Sequence, residues 1–397
     1  HALVRDAERQ KMSKTKGNVL DPLEVTNRYG TDAVRFALAI SAAPGTDIAF
    51  SDDKVESYRA FANKIWNAGR FILMNLQRLP EPVRSHLGVA LEPLPEIGFD
   101  AVLPARPNGS YAAQGRPGLA DRWIFSRLGT VTQRMNEALA DFRFHEAAHT
   151  IYHFFWHEVC DWYLEWVKPE ITKPVEGTKA PAAWINLMRV FEAALHLLHP
   201  FMPFITEELW HQLPRQGDEL SISLTGFSLV MDRVKDPVSE EEFERIRELV
   251  VAARNAKAER GLQREKPSAQ VASDEKPRLE LFREHQEHIL RLAGLEALNF
   301  TQERLPANAD RIAISASTDL RLFHEVRVDA AAERARLEKE KQKLEQSISQ
   351  AQRQLENQEF LSRAPREVVQ GVEQRHAELS THYRKILESL ERLEAGE

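Results

Sequence analysis

Cysteine is almost absent from the sequence, because Cys160 is the only one among 397 residues. A lone cysteine excludes an internal disulfide and any zinc site built from several cysteines, and it predicts a reducing, cytoplasmic setting. Long apolar runs are missing as well, since no stretch approaches the roughly 18 uncharged apolar residues of a membrane span. The first residue is His1 rather than methionine, with no charged-then-apolar leader behind it. We therefore expect a piece of a longer protein.

An excess of basic residues is also lacking. Lys and Arg number 53 against 60 Asp and Glu, which gives a formal net charge of −7. This balance argues weakly against nucleic-acid binding, although a protein can confine its basic residues to one face. The chain is 43% hydrophobic and 28% charged, which is enough for two or three domains with real cores.

Helical periodicity covers most of what is present. Asp21-Pro22 predicts a helix start, Thr31 is expected to N-cap the next helix, and a further helix is predicted from about 53 to 79. The Pro- and Gly-rich text at 80–117 predicts a surface insertion. Amphipathic segments over 119–213 predict a helical bundle. Six tryptophans fall among these segments and are expected in the core: Trp123, Trp156, Trp162, Trp166, Trp184 and Trp210.

The stretch from 239 to 325 predicts a small α/β module. One helix is expected over 239–258 and another near 278–292. Three strand candidates flank the second helix, at 268–273, 297–302 and 311–316.

Two heptad runs fill residues 326–397. The first run places these residues at heptad positions: Leu337, Lys341, Leu344, Ile348, Ala351 and Leu355. The second run follows Ala364-Pro365 and consists of Val372, His376, Leu379, Tyr383, Ile386, Leu390 and Leu393. Two runs joined by a proline-containing turn predict an antiparallel coiled-coil hairpin. A dimerising coiled coil is the alternative, and the matched lengths of the runs favour a hairpin within a monomer.

Residues 11–18, KMSKTKGN, are the segment most suggestive of chemistry. Lys11 and Lys14 project two ammonium groups from a short loop, and the small residues Ser13, Thr15 and Gly17 let that loop approach a ligand closely. Such a pair suits a triphosphate whose charge must be held during attack on the α-phosphorus. Taken alone the octet is a weak signal, because lysine-rich loops are usually just solvated.

The longer text HALVRDAERQKMSKTKGNVLDPLEVTNRYGTDAVRFALA resembles the second signature loop of class I aminoacyl-tRNA synthetases and the helix after it. The family motif is Lys-Met-Ser-Lys-Ser, and Thr15 stands at its fifth position with the hydroxyl kept. The resemblance implies that Lys11, Met12, Ser13, Lys14 and Thr15 bind ATP, and that Lys11 and Lys14 are catalytic in forming the aminoacyl adenylate. It also implies Mg²⁺ with the triphosphate and no structural metal.

Further stretches resemble the members of this family that charge tRNA(Val) with valine. DIAFSDDKVESYRAFANKIWNAGRF looks like a helix of the valyl enzymes. LADRWIFSRL, RFHEAAHTIYHFFWHEVCDWYLEWVKP and LLHPFMPFITEELW are similar to the anticodon-binding bundle of the valyl, isoleucyl and leucyl group. ENQEFLSRAPREVV, at 356–369, resembles the terminal arm that braces the outer corner of the tRNA.

The resemblance divides a mainly α chain into four parts. Residues 1–50 would end the class I catalytic domain, and 51–238 would form the anticodon-binding helical bundle. Residues 239–325 would be the small α/β module, and 326–397 the coiled-coil tRNA-binding arm. The family's His-Ile-Gly-His motif and editing module are not found in the sequence, so the chain is expected to be inactive alone.

Two other interpretations remain open. A non-catalytic tRNA-binding protein on the same scaffold has no need of Lys11 and Lys14, which disfavours it. An isoleucyl or leucyl ligase is disfavoured by the terminal arm, and by the single cysteine, because isoleucyl relatives commonly end in a cysteine-ligated zinc module.

Two further clusters are candidate sites. The segment RNAKAERGLQREK at 254–266 holds five basic residues and two acids, and it predicts phosphate contacts with tRNA. Its candidate tRNA-binding residues are Arg254, Lys257, Arg260, Arg264 and Lys266. A second cluster recurs every four residues on one helix face, at His145, His149, His153 and His157. A two-histidine metal site is possible in principle there, but the sequence favours a polar face near the anticodon stem.

Overall fold

A computed structural model describes residues 3–90, 117–177, 181–214, 220–225, 235–306, 312–323, 330–356 and most positions of 371–390. These residues are mainly helical and fall into two compact units, 1–323 and 324–397. No helix in the described part of the chain is both long enough and apolar enough to cross a bilayer.

The first fifty residues combine two short strands with helices. Strand β1 (Val4–Arg5) pairs in parallel with β2 (Ile48–Ala49). Between them lie a 3₁₀ turn (Lys14–Lys16), helix α1 (Pro22–Tyr29) and helix α2 (Thr31–Ser41). The predicted start of α1 is confirmed, because Asp21 accepts a hydrogen bond from the Leu23 amide at 2.8 Å ahead of Pro22.

The N-cap prediction for Thr31 is wrong by one residue. Gly30 occupies the cap position with φ of 90°, and Thr31 is the first residue of α2. The carboxylate of the next residue, Asp32, accepts hydrogen bonds from the backbone amides of Phe204 and Ile205 at 3.2 and 2.7 Å. These bonds tie α2 to the start of a distant helix, whose orphan amides they satisfy.

The bundle contains seven α-helices within the described residues, joined by one π-helical stretch. Its elements in chain order are α3 (Asp52–Leu76), α4 (Glu81–Ala90), α5 (Leu119–Ala140), α6 (Phe144–His153), the π-helix (Phe154–Leu164), α7 (Glu165–Ile171), α8 (Ala182–Leu198) and α9 (Pro203–His211).

The interpretation of 80–117 as an aperiodic insertion needs correction at its start. Residues 81–90 form α4, with Pro82 in the first turn, where proline is tolerated. Val83 and Leu87, one turn apart, are fully buried in the core. The rest of that segment, 91–116, lies outside the described residues.

Aromatic side chains fill the bundle core as predicted for five of the six tryptophans. Trp123, Trp162, Trp166, Trp184 and Trp210 are buried, and Trp156 is partly buried against the same core. Trp123 stacks on Phe243 of the following module with ring centroids 4.0 Å apart. The core of the bundle is therefore continuous with that of the α/β module.

The helical segment that runs from α6 to α7 is not uniform. Eleven residues, Phe154–Leu164, form a π-helix between α6 and α7. Adjacent pairs such as Phe154-Phe155 and Tyr163-Leu164 are buried together. A wider turn accommodates such neighbouring bulky side chains, which a single apolar stripe of an α-helix does not.

The α/β module is a four-stranded sheet with helices on one side. Helix α10 (Pro237–Glu259) leads into β3 (Ser268–Ser273), α11 (Lys276–Glu284), α12 (Gln286–Ala293), β4 (Leu298–Thr301), β5 (Ile312–Ser315) and β6 (Thr318–Phe323). The strand order is β4-β3-β6-β5, with only the β3–β4 pair parallel among these strands. The three predicted strands are confirmed, β6 was missed, and the helix near 278–292 is two helices.

Basic residues of α10 hold the end of α12. The Lys257 ammonium donates to the carbonyls of Gly294 and Ala293 at 2.7 and 3.4 Å, and Arg254 Nε donates to the Leu292 carbonyl at 2.9 Å. A helix C-terminus presents unpaired carbonyls and partial negative charge, which cations satisfy. Two side chains of α10 thus fix the module's second helix.

The second unit contains α13 (Ala330–Glu356) and helical residues within 371–390. Leu344 and Ile386, both predicted heptad positions, are buried together. Tyr383 Oη donates to Glu345 Oε1 at 2.6 Å. The two segments therefore pack on each other, whereas the turn at 364–365 lies outside the described residues and the antiparallel direction stays a prediction.

A histidine ring lies in the contact between bundle and module. His288 of α12 stacks on Trp166 of α7 with ring centroids 4.1 Å apart and planes 9° apart. Burial, together with the nearby charges of Arg291 and His285, lowers the pKa of His288 to about 4. Neutral imidazole suits this stack, whereas the charged ring would be poorly solvated there.

We expect the free energy of unfolding to fall as the pH is lowered from about 6.5 to about 4. His288 binds fewer protons in the folded protein than in the unfolded chain, so its contribution is complete above pH 6.5 and is lost toward pH 4. The loss is on the order of 2 kcal/mol. Urea unfolding of the wild type and of His288→Phe at pH 7 and 4.5 measures it. An equally steep pH dependence in both proteins would contradict this assignment.

Candidate functional site

The lysine-bearing loop begins with a closed turn. The Gln10 amide donates to Asp6 Oδ1 at 2.6 Å, and the Asp6 amide donates to the Gln10 carbonyl at 3.1 Å. Arg9 supplies the left-handed residue, with φ of 62°. The chain then folds back, so that the backbone of Lys11 forms an isolated antiparallel β-bridge with that of Arg5 in β1. The first lysine is thereby placed beside the strand pair.

One carboxamide holds the two ends of the loop together. Asn18 Oδ1 accepts from the Ser13 amide at 2.9 Å, while Asn18 Nδ2 donates to Asp6 Oδ2 at 2.8 Å and to the Lys11 carbonyl at 3.3 Å. The bond from Asn18 is the main cause that lowers the pKa of Asp6. Residues 11–18 are therefore closed by a side chain to which sequence reasoning gave no role.

The middle of the loop is shaped by small residues. Ser13 Oγ accepts from the Lys16 amide at 3.3 Å and so caps the 3₁₀ turn. Gly17 ends that turn with φ of 69°, a conformation that favours glycine. Met12 packs against a small core that includes Val25, Tyr29 and Val34. Met12 and Ser13 therefore anchor and shape the loop.

The two lysines of the motif remain available. Lys11, Lys14 and Thr15 are exposed, and within the described residues neither of these two ammonium groups has an ion-pair or hydrogen-bonding partner. Lys16 differs, because its Nζ donates to Gln10 Oε1 at 3.3 Å. Two unpaired ammonium groups on one short loop can hold a polyphosphate, so the residues present fit ATP.

The basic segment at 254–266 divides into two groups. Lys257 is 6% exposed and bonded to main-chain carbonyls, so the prediction that it contacts tRNA phosphates is wrong. Arg254 is likewise engaged, with its bond to Leu292 and its guanidinium 5.5 Å from the Trp162 ring centroid. Arg260, Arg264 and Lys266 are exposed.

The sequence pattern itself explains the inward lysine. Val250, Ala253 and Lys257 follow the three- and four-residue spacing of a single helix face, and all three are buried. Composition shows how many charges a segment carries, whereas the helical period determines which of them face inward. Counting all five basic residues as one surface therefore overestimated the number of positive charges that are exposed to a ligand.

The four histidines lie on one face, as predicted. The His149 and His153 ring centroids are 6.4 Å apart, those of His153 and His157 are 5.6 Å apart, and both pairs are stacked. Burial, followed by the nearby His153 and His145, lowers the pKa of His149. Across the described residues, no three His, Cys, Asp or Glu side chains are grouped as metal ligands would be.

Three family profiles match the chain. The profile of class I tRNA synthetases (I, L, M and V) matches residues 1–51. The profile of the anticodon-binding domain of tRNA ligases matches 121–273, and that of the valyl tRNA synthetase tRNA-binding arm matches 329–394. The loop described above thus falls in the class I match.

Curated relatives align along nearly the whole chain. The valine–tRNA ligase of Solibacter usitatus is 40% identical, over 98% of this chain and 40% of the relative. The valine–tRNA ligases of Aquifex aeolicus and Geobacter sulfurreducens are each 38% identical, over 98% and 99% of this chain and 32% and 41% of the relatives. The chain therefore spans about two fifths or less of the length of these relatives.

Among solved structures, the leucyl enzyme LeuRS of Agrobacterium radiobacter K84, in its ternary complex with tRNA, matches with a TM-score of 0.36 and 17% identity. That match covers 68% of this chain and 25% of that one, and the likeness is too slight to carry an argument. The three family profiles, at 1–51, 121–273 and 329–394, agree with the ligases that align along 98% of the chain. On that agreement, the chain belongs to the valine–tRNA ligases of the class I tRNA synthetase family.

Proposed function

We propose that this chain is the portion of a valine–tRNA ligase that supplies the second ATP-binding loop, the anticodon-binding bundle and the tRNA arm. The complete enzyme would join valine to ATP with release of pyrophosphate, and would then transfer the valyl group to tRNA(Val). The observation that carries the catalytic part is the pair of unpaired ammonium groups, Lys11 and Lys14, on the loop closed by Asn18.

The proposed chemistry is electrostatic. As the valine carboxylate attacks the α-phosphorus, negative charge grows on the departing pyrophosphate. Lys14 would contact the phosphates directly and Lys11 would assist, because an ammonium is a compact charge that can follow the moving oxygens. Interactions that strengthen as the charge develops lower the barrier, whereas uniform binding does not. Mg²⁺ on the triphosphate would supply further positive charge.

The remaining loop residues would act by position. Met12 anchors the loop in the core beside α1 and α2, and Ser13 and Asn18 fix its shape through hydrogen bonds. Thr15 is exposed beside Lys14 and keeps the hydroxyl that the family motif has at this position. The side chains that meet the nucleotide would thus be Lys11, Lys14 and Thr15.

For tRNA, we infer contacts by the bundle, the module and the arm together. Phosphate contacts give position, and exposed loop bases give identity. Arg260, Arg264 and Lys266 are the exposed members of the basic segment. The arm carries mixed charge, including Lys341 at 4.0 Å from Glu345, and would act as one antiparallel hairpin in a monomeric, cytoplasmic enzyme.

We expect Lys14→Ala to reduce adenylate formation at least 100-fold, as removal of a transition-state charge partner commonly does. The measurement is valine-dependent ATP–pyrophosphate exchange by a hybrid enzyme, in which this chain replaces the aligned portion of the Solibacter usitatus ligase. Lys16→Ala is the matched control, because Lys16 is on the same turn but bonds to Gln10. The affinity of the hybrid for tRNA should stay unchanged in both variants. An equal loss of exchange and tRNA affinity, or an equal loss in the control, would show that the loop is only structural.

We expect the 397-residue chain alone to bind tRNA(Val) in a salt-sensitive way, since phosphate contacts release counterions. Exchange activity should be absent from the chain alone. Filter binding should show weaker affinity for a transcript that differs only in the anticodon. Equal affinity for both transcripts would remove the proposed role of the bundle, and robust exchange would contradict the division of the active site.

A further inference from the structure

One face of the sheet in the α/β module packs against helices, and the opposite face, called the open face below, is accessible at one end only, because Ala272 and Asp319 at its other end are fully buried. Ala269, Val271, Leu320 and Leu322 are buried on the face that packs against the helices. The intervening residues project from the opposite face, because successive side chains alternate along a strand. Gln270 and Arg321 on that face are only partly buried. The family profile of the anticodon-binding domain reaches residue 273 and so includes β3, whereas none of the three matched profiles covers β4, β5 or β6.

Strand register places four polar or aromatic side chains together on the open face. Gln270 of β3 pairs with Asn299 of β4 on one side and with Arg321 of β6 on the other. Phe323 follows two residues after Arg321, and so lies on the same face, opposite Ser268. Gln270, Asn299, Arg321 and Phe323 form what we call the Phe323 platform.

The aromatic ring of the platform is accessible. Phe323 is 44% exposed, and the Arg321 guanidinium is 6.0 Å from its ring centroid. A single exposed phenylalanine is unremarkable on its own. Its association with a guanidinium and with two side-chain amides in one cross-strand row is the feature that suits a nucleotide base, since bases stack on aromatic and arginine planes and bond to amides.

Cations stand at the same end of the sheet. Lys266 precedes Ser268, the register partner of Phe323, by two residues, and Arg264 lies in the same loop. Both are exposed, and neither has an ion-pair partner in the described part of the chain. Glu265 between them interacts electrostatically with Lys257. This end of the sheet therefore combines an open aromatic ring with two available positive charges.

At the other end of this face, the carboxylates of Asp319 and Asp274 share the guanidinium of Arg304. Asp319 lies on the same face and is completely buried beneath Arg304, whose Nε is 2.8 Å from Asp319 Oδ2. A second bond joins Arg304 Nη2 to Asp319 Oδ1 at 3.2 Å. The buried carboxylate is thus paired with a cation, and the exposed charges of Arg264 and Lys266 at the first end are the ones available to a polyanion.

We propose that the Phe323 platform binds one unpaired nucleotide of the tRNA. The base stacks on Phe323 and Arg321, the amides of Gln270 and Asn299 bond to its polar edge, and Arg264 and Lys266 hold the flanking phosphates. This inference rests on the proposed function, because it takes tRNA as the partner. It adds a base-stacking contact in the module to the phosphate contacts of the basic segment.

The test compares aromatic and non-aromatic side chains at one exposed position. Phe323→Leu should weaken binding of the 397-residue chain to a tRNA(Val) transcript about tenfold, in keeping with the loss of one base–aromatic stack. Phe323→Tyr should bind as the wild type does. Leu23→Ala is the control, because Leu23 is 71% exposed on α1, outside the bundle, the module and the arm. Equal thermal unfolding of the variants confirms that each one folds.

Salt dependence separates the charged contacts from the stacked one. The double variant Arg264→Gln, Lys266→Gln should lower the slope of log affinity against log salt concentration by about one to two, whereas Phe323→Leu should leave the slope unchanged. If the wild type binds tRNA and Phe323→Leu binds equally well, the platform is wrong while the proposed function stands. If the wild type does not bind tRNA at all, both are overturned.

Discussion

The three hydrogen bonds of the Asn18 carboxamide are the constraint on which the catalytic interpretation depends. They close the loop at Ser13, Lys11 and Asp6, so that the intervening lysines need no bonds of their own to keep the loop in shape. A loop held by its lysines would lose those contacts on binding a phosphate. Here the scaffold and the ligand-binding charges are separate groups, which is the condition for a preorganised electrostatic site.

Burial of aromatic rings supports the larger surfaces. Trp123 and Trp166 both contact Phe243, so the bundle and the α/β module share one core. Lys257 and Arg254 reinforce this joint by satisfying the carbonyls that end α12. The open face of the sheet is thereby fixed relative to the bundle, because both belong to the same compact unit. Because the shared core fixes these surfaces relative to each other, they can bind one extended ligand without an additional loss of conformational entropy.

Features that depend on residues close together in the sequence could be predicted. The start of α1 and the five buried tryptophans follow from spacing and residue type. The five-residue motif was identified by its resemblance to the family, and the role of its residues stays a prediction. The π-helix could not be predicted from the sequence, because it depends on how adjacent bulky side chains pack in the folded core. The prediction for Lys257 was wrong because it considered the charge of the side chain and not its position on the buried face of α10. Asn18 has no distinctive pattern, since its partners Asp6 and Ser13 become neighbours only after the turn at Arg9 closes. Strand β6 was missed although it alternates, because Asp319 looks like a surface residue until Arg304 neutralises it.

We infer that Lys11 and Lys14 are presented to the triphosphate by a loop whose shape is set by the Asn18 carboxamide. The most direct test is a crystal structure of the hybrid enzyme with valine and a non-hydrolysable ATP analogue. We expect Lys14 Nζ to lie within about 3 Å of a phosphate oxygen, with Lys11 close by and the three Asn18 bonds retained. A complex in which both ammonium groups point away from the phosphates, with the nucleotide fully bound, would contradict it.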